Sequence, residues 1–405
     1  MEARSLPAAI APPREAVRAA AVPRSIAATL FAATSIVVGV IWDISWHMTI
    51  GRDTFWTPAH LAIYLGGLVG GLGSGLVVLK TTFRGTADER ARAVRFWGFR
   101  GPLGAWAAIL GAGLMLTSAP FDDWWHNAYG LDVRIISPPH MVLALGIYGI
   151  VTGAMLVTLA AQNRAAESAA GADAAGDPQL APALSRLYAY ASGLVITVVG
   201  IMVTEHTYRT EMHSSVFYRW AGAVFPFFLC MLARGSRLRW PATAAALGYT
   251  GAMLAMQWIL PLFPATPKLG PIYQDITHMV PLSFPLLLVA PALALDLLAR
   301  EAQRRGWRDW TLAALSGVAF VAVLLAVQWP LASFLLSPAA RNWVFAGDNF
   351  SYSMPPTARA VRGVFYLSDR SRLEFWKGMA AATVFAVLSA RLGLWRGAAL
   401  RRVRR

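Results

Sequence analysis

Aspartate and histidine recur in this chain at a spacing that can hold a metal ion. In WDISWHMTIGRDTFWTPAH, residues 42–60, Asp43 and His47 stand four apart and His60 follows thirteen residues later. In FDDWWHNAYGLDVRIISPPH, residues 121–140, Asp122, His126 and His140 repeat the pattern with one extra residue before the last histidine. Both stretches read aromatic, Asp, two residues, Trp-His, three residues, Gly, one residue, Asp, and both end in Ser/Thr-Pro-x-His. An acid and a histidine four apart share one face of a helix. Two imidazoles and a carboxylate suit non-haem iron, copper or zinc, and leave coordination positions open for water, dioxygen or substrate. Trp46 and Trp125 flank the histidines. Asp53 and Asp132 are each placed either to orient an imidazole N–H or to pair with Arg52 or Arg134. A single Asp–His pair at a helix end is also a common structural hydrogen bond; the duplicated spacing favours the metal reading.

The elements that must position these groups are membrane helices. The chain has 405 residues, of which 57% are hydrophobic and 14% charged. Apolar runs long enough to cross the roughly 30 Å hydrocarbon core recur throughout. Ten spans are expected: 26–46, 58–79, 102–121, 138–161, 187–204, 214–233, 240–260, 278–299, 309–336 and 374–395. The fold class is therefore all-α and polytopic, because a segment in lipid must satisfy its own backbone. In each copy of the motif the first helix ends at the Asp-x3-His pair. The second begins at Thr57-Pro58 or Ser137-Pro138, a good N-cap followed by proline at the first helical position. The motif is thus an internal repeat of a two-helix hairpin.

Charge sets the expected orientation. With the N-terminus in the cytoplasm, the inner segments hold 25 of the 36 lysines and arginines. This is the positive-inside pattern, with both termini inside the bacterial inner membrane. The net charge of +15 then reflects topology and contact of the basic tail WRGAALRRVRR with anionic lipid headgroups; nucleic acid is not expected as a partner. The single cysteine, Cys230, excludes an intrachain disulfide and a cysteine-based metal site. The first span is expected to be uncleaved.

The organisation follows as a disordered tail over 1–24 and a four-helix metal-binding module over 25–161. A low-complexity inner linker occupies 162–186 and a second bundle 187–336. A long outer loop covers 337–372, and 373–405 carry the last span with its basic tail. All seven histidines fall at or beside the outer ends of spans. In the second half, Glu205, His206 and His213 flank spans five and six, and Asp275 and His278 precede span eight. These five form a further metal site, relay protons, or serve as caps and interfacial hydrogen bonds. Aromatic residues crowd the same face as an interfacial belt, a few of them placed to line an apolar pocket.

Asp43-x3-His47-x12-His60 and Asp122-x3-His126-x13-His140 resemble motifs in one membrane subunit of the particulate methane and ammonia monooxygenases. That family of copper membrane monooxygenases carries Asp-x3-His-x12-His for one copper site and Asn-x3-His-x13-His for a second. The resemblance covers about residues 25–160, with Asp122 standing where the family has Asn. It implies a copper-dependent membrane oxidoreductase subunit that acts with dioxygen on a small apolar substrate, alongside other membrane or periplasmic subunits. Two other readings come from the residues themselves. One is a membrane protein that handles or transports metal; no ladder of polar groups crosses the bilayer to support it. The other is a b-type haem protein with a His–His pair such as His47 and His140; the carboxylate four residues before His47, and before His126 in the second copy, argues instead for direct coordination of copper, iron or zinc.

Overall fold

Apolar runs dictate helices, and helices dominate. The computed structural model describes residues 22–51, 54–130, 137–170 and 180–404. In chain order its main elements are α1 (Arg24–Thr49), α2 (Pro58–Arg84), α3 (Ala87–Arg92), β1 (Val94–Phe96), β2 (Phe99–Gly101), α4 (Leu103–Tyr129) and α5 (Pro138–Ala170). Then come α6 (Leu180–Met202), α7 (Ser215–Gly235), α8 (Pro241–Ile259), α9 (Val289–Arg305), α10 (Asp309–Leu335) and α11 (Arg372–Leu400). Among the described residues, nine helices are long and apolar enough to cross a membrane: all of these except α3 and α9. One continuous cluster of buried apolar side chains runs from Ile26 in α1 to Leu394 in α11.

Small residues set the close approach of α1, α2, α4 and α5. A Cβ added at Gly66 in α2 would stand 2.5 Å from the Ile36 side chain and 2.6 Å from the Ala32 carbonyl oxygen. One added at Gly146 in α5 would stand 2.7 Å from Met115 and 2.8 Å from the Gly111 carbonyl oxygen. Ala32, Ile36 and Gly66 correspond to Gly111, Met115 and Gly146 when the two sequence motifs are aligned. The helix–helix contact beneath each motif is therefore made at matching positions, with glycine where the backbones come closest.

The helices extend beyond several expected boundaries. α1 runs to Thr49 and α4 to Tyr129, which puts both Asp-x3-His pairs inside helix. α5 continues through 162–170 and α6 starts at Leu180, so the ends of the expected linker are helical. Residues 1–21 of the expected tail, the middle of that linker at 171–179, and the residues Arg52, Asp53, Asp132 and Arg134 lie outside the described residues. A two-stranded hairpin, β1 paired antiparallel with β2, precedes α4 and was not expected. Its tip holds Trp97 and Gly98, both at positive φ, as a two-residue hairpin turn requires.

The eighth expected span, 278–299, is a correction. Helix begins only at Val289, because Pro281 and Pro285 cannot donate to a helical ladder. The preceding stretch is irregular but buried: Met279, Val280, Leu282, Leu286 and Leu288 are each under 9% exposed. Several of its backbone groups are satisfied by side chains from other elements. Ser45 of α1 donates to the Val280 carbonyl at 2.6 Å, and the Val280 amide donates to Thr49 at 2.8 Å. The Leu286 amide donates to the Tyr249 hydroxyl of α8, and the Leu287 amide to the Gln328 side chain of α10. Asn349 donates to the Pro281 carbonyl. Irregular backbone can be buried in this way where neighbouring protein groups meet its hydrogen bonds.

The segment 337–371 laces together the helix ends on the side of the motifs. The Tyr352 amide donates to the Met48 carbonyl at 2.9 Å, and the Tyr366 amide to the Thr210 carbonyl at 2.8 Å. Asp369 accepts from both the amide and the hydroxyl of Ser215 at the start of α7. Arg209, only 2% exposed, donates to the Gly347 carbonyl at 2.9 Å and lies over the rings of Tyr208 and Phe350.

Candidate metal centres

Each motif folds into a hairpin whose helices bring the acid and both histidines together. α1 ends in a turn closed by Gly51 at φ +96°, and α4 in a turn closed by Gly130 at φ +86°. Such a residue terminates a helix without the steric penalty of a Cβ. The chain then reverses and restarts at Pro58 or Pro138. His60 and His140 each sit in the first turn of the second helix, opposite the end of the first.

In the first hairpin, Asp43 Oδ1 lies 3.1 Å from His60 Nε2, and Asp43 Oδ2 lies 3.9 Å from His47 Nε2. In the second, Asp122 Oδ1 lies 3.6 Å from His126 Nε2 and 3.8 Å from His140 Nε2. Each carboxylate is thus flanked by the Nε2 atoms of one histidine from its own helix and one from the next. Among the described residues, Asp43 Oδ1 and Asp122 Oδ1 are both buried and make no hydrogen bond. All six side chains are between 21% and 40% exposed, at the rim of the bundle rather than deep within it.

The tautomer of His60 sharpens the chemistry. Its Nδ1 lies 3.0 Å from the Thr54 carbonyl oxygen, which can only accept, so Nδ1 carries the hydrogen. In a neutral ring Nε2 then presents a lone pair toward Asp43 Oδ1. Two electron-rich atoms 3.1 Å apart meet favourably only across a proton or a cation. A backbone carbonyl on the remote nitrogen is also how proteins commonly orient a metal-binding imidazole. Donors about 2.0–2.1 Å from one ion stand about 3.3 Å apart at a tetrahedral angle, and the observed separations of 3.1–3.9 Å bracket that value. Among the described residues, no three His, Cys, Asp or Glu side chains already enclose an ion-sized space. The donor chemistry and the orphaned carboxylate oxygens fit a metal; full coordination requires the side chains to close in.

The other expected residues are placed differently. Trp125 packs with Tyr129 at a ring separation of 4.6 Å and edge-on to Phe121 at 6.2 Å. Trp46 packs against the central apolar cluster. Asp53 and Asp132 fall outside the described residues. In the second half, His206 stacks on Trp220 at 4.3 Å. His213 lies between Trp329 at 3.9 Å and Phe365 at 3.6 Å, with Nε2 3.0 Å from the Trp329 carbonyl oxygen. Burial holds the His213 imidazole below its ordinary pKa, against the pull of that hydrogen bond. Glu205 and Asp275 are exposed or nearly so, away from any shared pocket, and His278 Nδ1 contacts the Thr277 hydroxyl at 2.9 Å. Burial raises the pKa of Glu211, beside this group, opposed by Thr210, Arg359 and His206. Among the described residues, no three of Glu205, His206, His213, Asp275 and His278 stand as a set that could hold an ion.

Thr57 occupies the N-cap position of α2, yet its side chain makes no capping hydrogen bond. The expected cap is a correction in that respect: residue and place agree, but the bond is not made. The clamps on the broken span, Ser45, Thr49, Tyr249 and Gln328, were invisible to sequence reasoning because each looks like an ordinary helix residue until the partner backbone is known. A cavity of about 80 Å³ between the first four long helices lies at their opposite end, lined by residues such as Ser25, Ser74 and Arg164.

No protein-family model matches this chain, and no curated protein or solved structure is significantly similar to it. The functional reading therefore stands on the chain's own residues.

Proposed function

We propose that the two hairpins bind metal ions, copper by preference, and that the chain is a membrane oxidoreductase subunit resembling the one that carries the Asp/His motifs in the copper membrane monooxygenases. The observation that carries this reading is the matched pair of buried, unbonded carboxylate oxygens, Asp43 Oδ1 and Asp122 Oδ1, each flanked by two imidazole Nε2 atoms. A buried carboxylate oxygen that makes no hydrogen bond is poorly solvated, and a cation between it and the imidazoles would supply the missing interaction. Matching contacts beneath the motifs support treating the two hairpins as copies of one unit.

Bound copper would supply one-electron and dioxygen chemistry toward a small apolar substrate. The chain's own residues bind and orient. Asp43, His47 and His60 would hold one ion; Asp122, His126 and His140 would hold the other. The Thr54 carbonyl keeps the His60 proton on Nδ1 and so directs the Nε2 lone pair toward the ion. The aromatic belt, with Trp125 and Tyr129 at its centre, offers an apolar approach from the membrane. The positive-inside charge pattern supports a position of both sites toward the periplasmic face of the inner membrane. It supports both termini in the cytoplasm as well, with the basic C-terminal tail against anionic headgroups. Electrons and the remaining catalytic parts would come from partner subunits.

The test is metal content of the purified full-length chain. His60→Ala is expected to remove about one ion per chain and leave the second site loaded. Unchanged metal content would overturn the assignment. A Soret absorption band in the purified protein would favour haem, and copper uptake into sealed vesicles would favour transport.

A further inference from the structure

Two hydroxyls stand at matching positions of the two motifs, and both are unaccounted for. Among the described residues, fourteen buried side-chain nitrogen and oxygen atoms have no hydrogen-bond partner. Four of them fall on two pairs of positions that the sequence repeat aligns. One pair is Asp43 Oδ1 and Asp122 Oδ1; the other is Thr57 Oγ1 and Ser137 Oγ. Thr57 is 5% exposed and Ser137 is 2% exposed.

Neither hydroxyl does what its position normally requires. Thr57 and Ser137 each precede a helix that opens with proline, three residues before the second histidine of the set. Their carbonyls accept the first helical hydrogen bonds, from Leu61 at 3.0 Å and from Met141 at 2.9 Å. An N-cap hydroxyl ordinarily takes an amide of the first turn, and here neither does. A hydroxyl both donates and accepts, so a buried one is rarely left with nothing. The same unmet hydroxyl recurs at aligned positions of both motifs, each three residues before a histidine that meets an unbonded carboxylate oxygen, and the recurrence points to a shared occupant. Residues N-cap and N3 lie on one side of a helix's first turn, so the hydroxyl and the imidazole of His60 or His140 are carried to the site by the same turn.

We propose that Thr57 and Ser137 belong to the two centres as a fourth polar group, each offering a neutral oxygen donor to the bound divalent cation. This rests on the metal reading above. The resulting donor set at each site is two nitrogens and two oxygens, with the carboxylate as its only charge. Such a set suits copper(II), zinc or iron rather than the soft, sulfur-seeking copper(I).

The experiment uses the full-length, metal-stripped protein in detergent, titrated with copper(II) against a competing chelator and followed by electron paramagnetic resonance. Thr57→Val keeps the shape and removes the oxygen. It is expected to weaken binding at the first site at least tenfold and to change that site's copper spectrum, while Thr57→Ser restores both. Ser137→Ala should do the same to the second site only. Thr57→Cys loaded with cobalt(II) is expected to gain thiolate-to-metal charge-transfer absorption, a readout that does not depend on the valine variant folding. Wild-type affinity and spectrum in Thr57→Val and Ser137→Ala, with no such band in Thr57→Cys, would overturn the role of the hydroxyls. If Asp43→Asn and His60→Ala still lose copper in that case, the metal reading survives without them. If those two variants also bind as wild type, both conclusions fall together.

Discussion

The Val280 amide donates to the Thr49 hydroxyl at 2.8 Å, so the last turn of α1 holds the backbone of the irregular segment before α9. Ser45, one turn earlier on the same helix, completes the clamp by donating to the Val280 carbonyl at 2.6 Å. Both hydroxyl-bearing residues are fully buried. Removing either leaves a buried backbone group unsatisfied, which costs about 1–3 kcal/mol. Ser45→Ala and Thr49→Val are each expected to lower the thermal unfolding temperature in detergent, and the pair to couple in a double-mutant cycle. Additive losses would show that the two bonds are independent.

The two centres should be separable by chemistry as well as by deletion. Asp122→Asn converts the second set to the amide that the resembling family carries there. It is expected to keep an ion at that site with altered affinity, whereas Asp122→Ala releases it. Metal analysis of both variants checks this, and equal loss from both would show that the amide cannot replace the carboxylate.

Glycine is required at the first hairpin for two reasons and at the second for one. Gly51 and Gly130 both have positive φ, a conformation that costs an ordinary residue about 1–2 kcal/mol. A Cβ at Gly51 would also stand 2.4 Å from the Tyr352 hydroxyl oxygen, while one at Gly130 would meet nothing within 4 Å. Gly51→Ala should therefore destabilise more than Gly130→Ala in parallel melts, and Tyr352→Phe should recover part of the difference.

The His213 site gives a signed pH dependence. Its folded pKa lies below the ordinary 6.5 because burial disfavours the charged ring. The unfolded chain therefore binds the proton more readily, and the stability from a neutral His213 is present above pH 6.5 and is lost as pH falls below it. The stability difference between wild type and His213→Gln should shrink as pH falls from about 7.5 to below about 6. Comparing the two proteins at each pH removes the contribution of Glu211, whose pKa is raised by burial. A pH-independent difference would contradict the assignment.

Much of the bundle was legible from hydropathy alone, because a run of apolar residues in lipid has only the helix available to it. The eighth span shows where that logic ends. Its residues are as apolar as the others, but Pro281 and Pro285 remove donors, and the Val280, Leu286 and Leu287 amides and the Pro281 carbonyl find Thr49, Tyr249, Gln328 and Asn349, none of them nearby in sequence. Asp43–His47 and Asp122–His126 were legible because the spacing of four is local to one helix. Their meeting with His60 and His140 followed from the short reversal between helices. The surroundings of the second-half histidines were not legible, since the rings that stack on them, Trp220, Trp329 and Phe365, come from other parts of the fold. The lapse of the expected Thr57 cap was equally hidden, because composition names the residue at an N-cap but not whether its hydroxyl turns toward the helix.

The broken span also bears on how the protein is made. A segment whose amides and carbonyls are satisfied by its neighbours has little to recommend it to the insertion machinery on its own. Residues 279–288 gain these partners only as α1, α8, α10 and the segment carrying Asn349 gather around them. A chain that stops after α9 lacks the Gln328 and Asn349 partners and is expected to leave this stretch accessible to proteases.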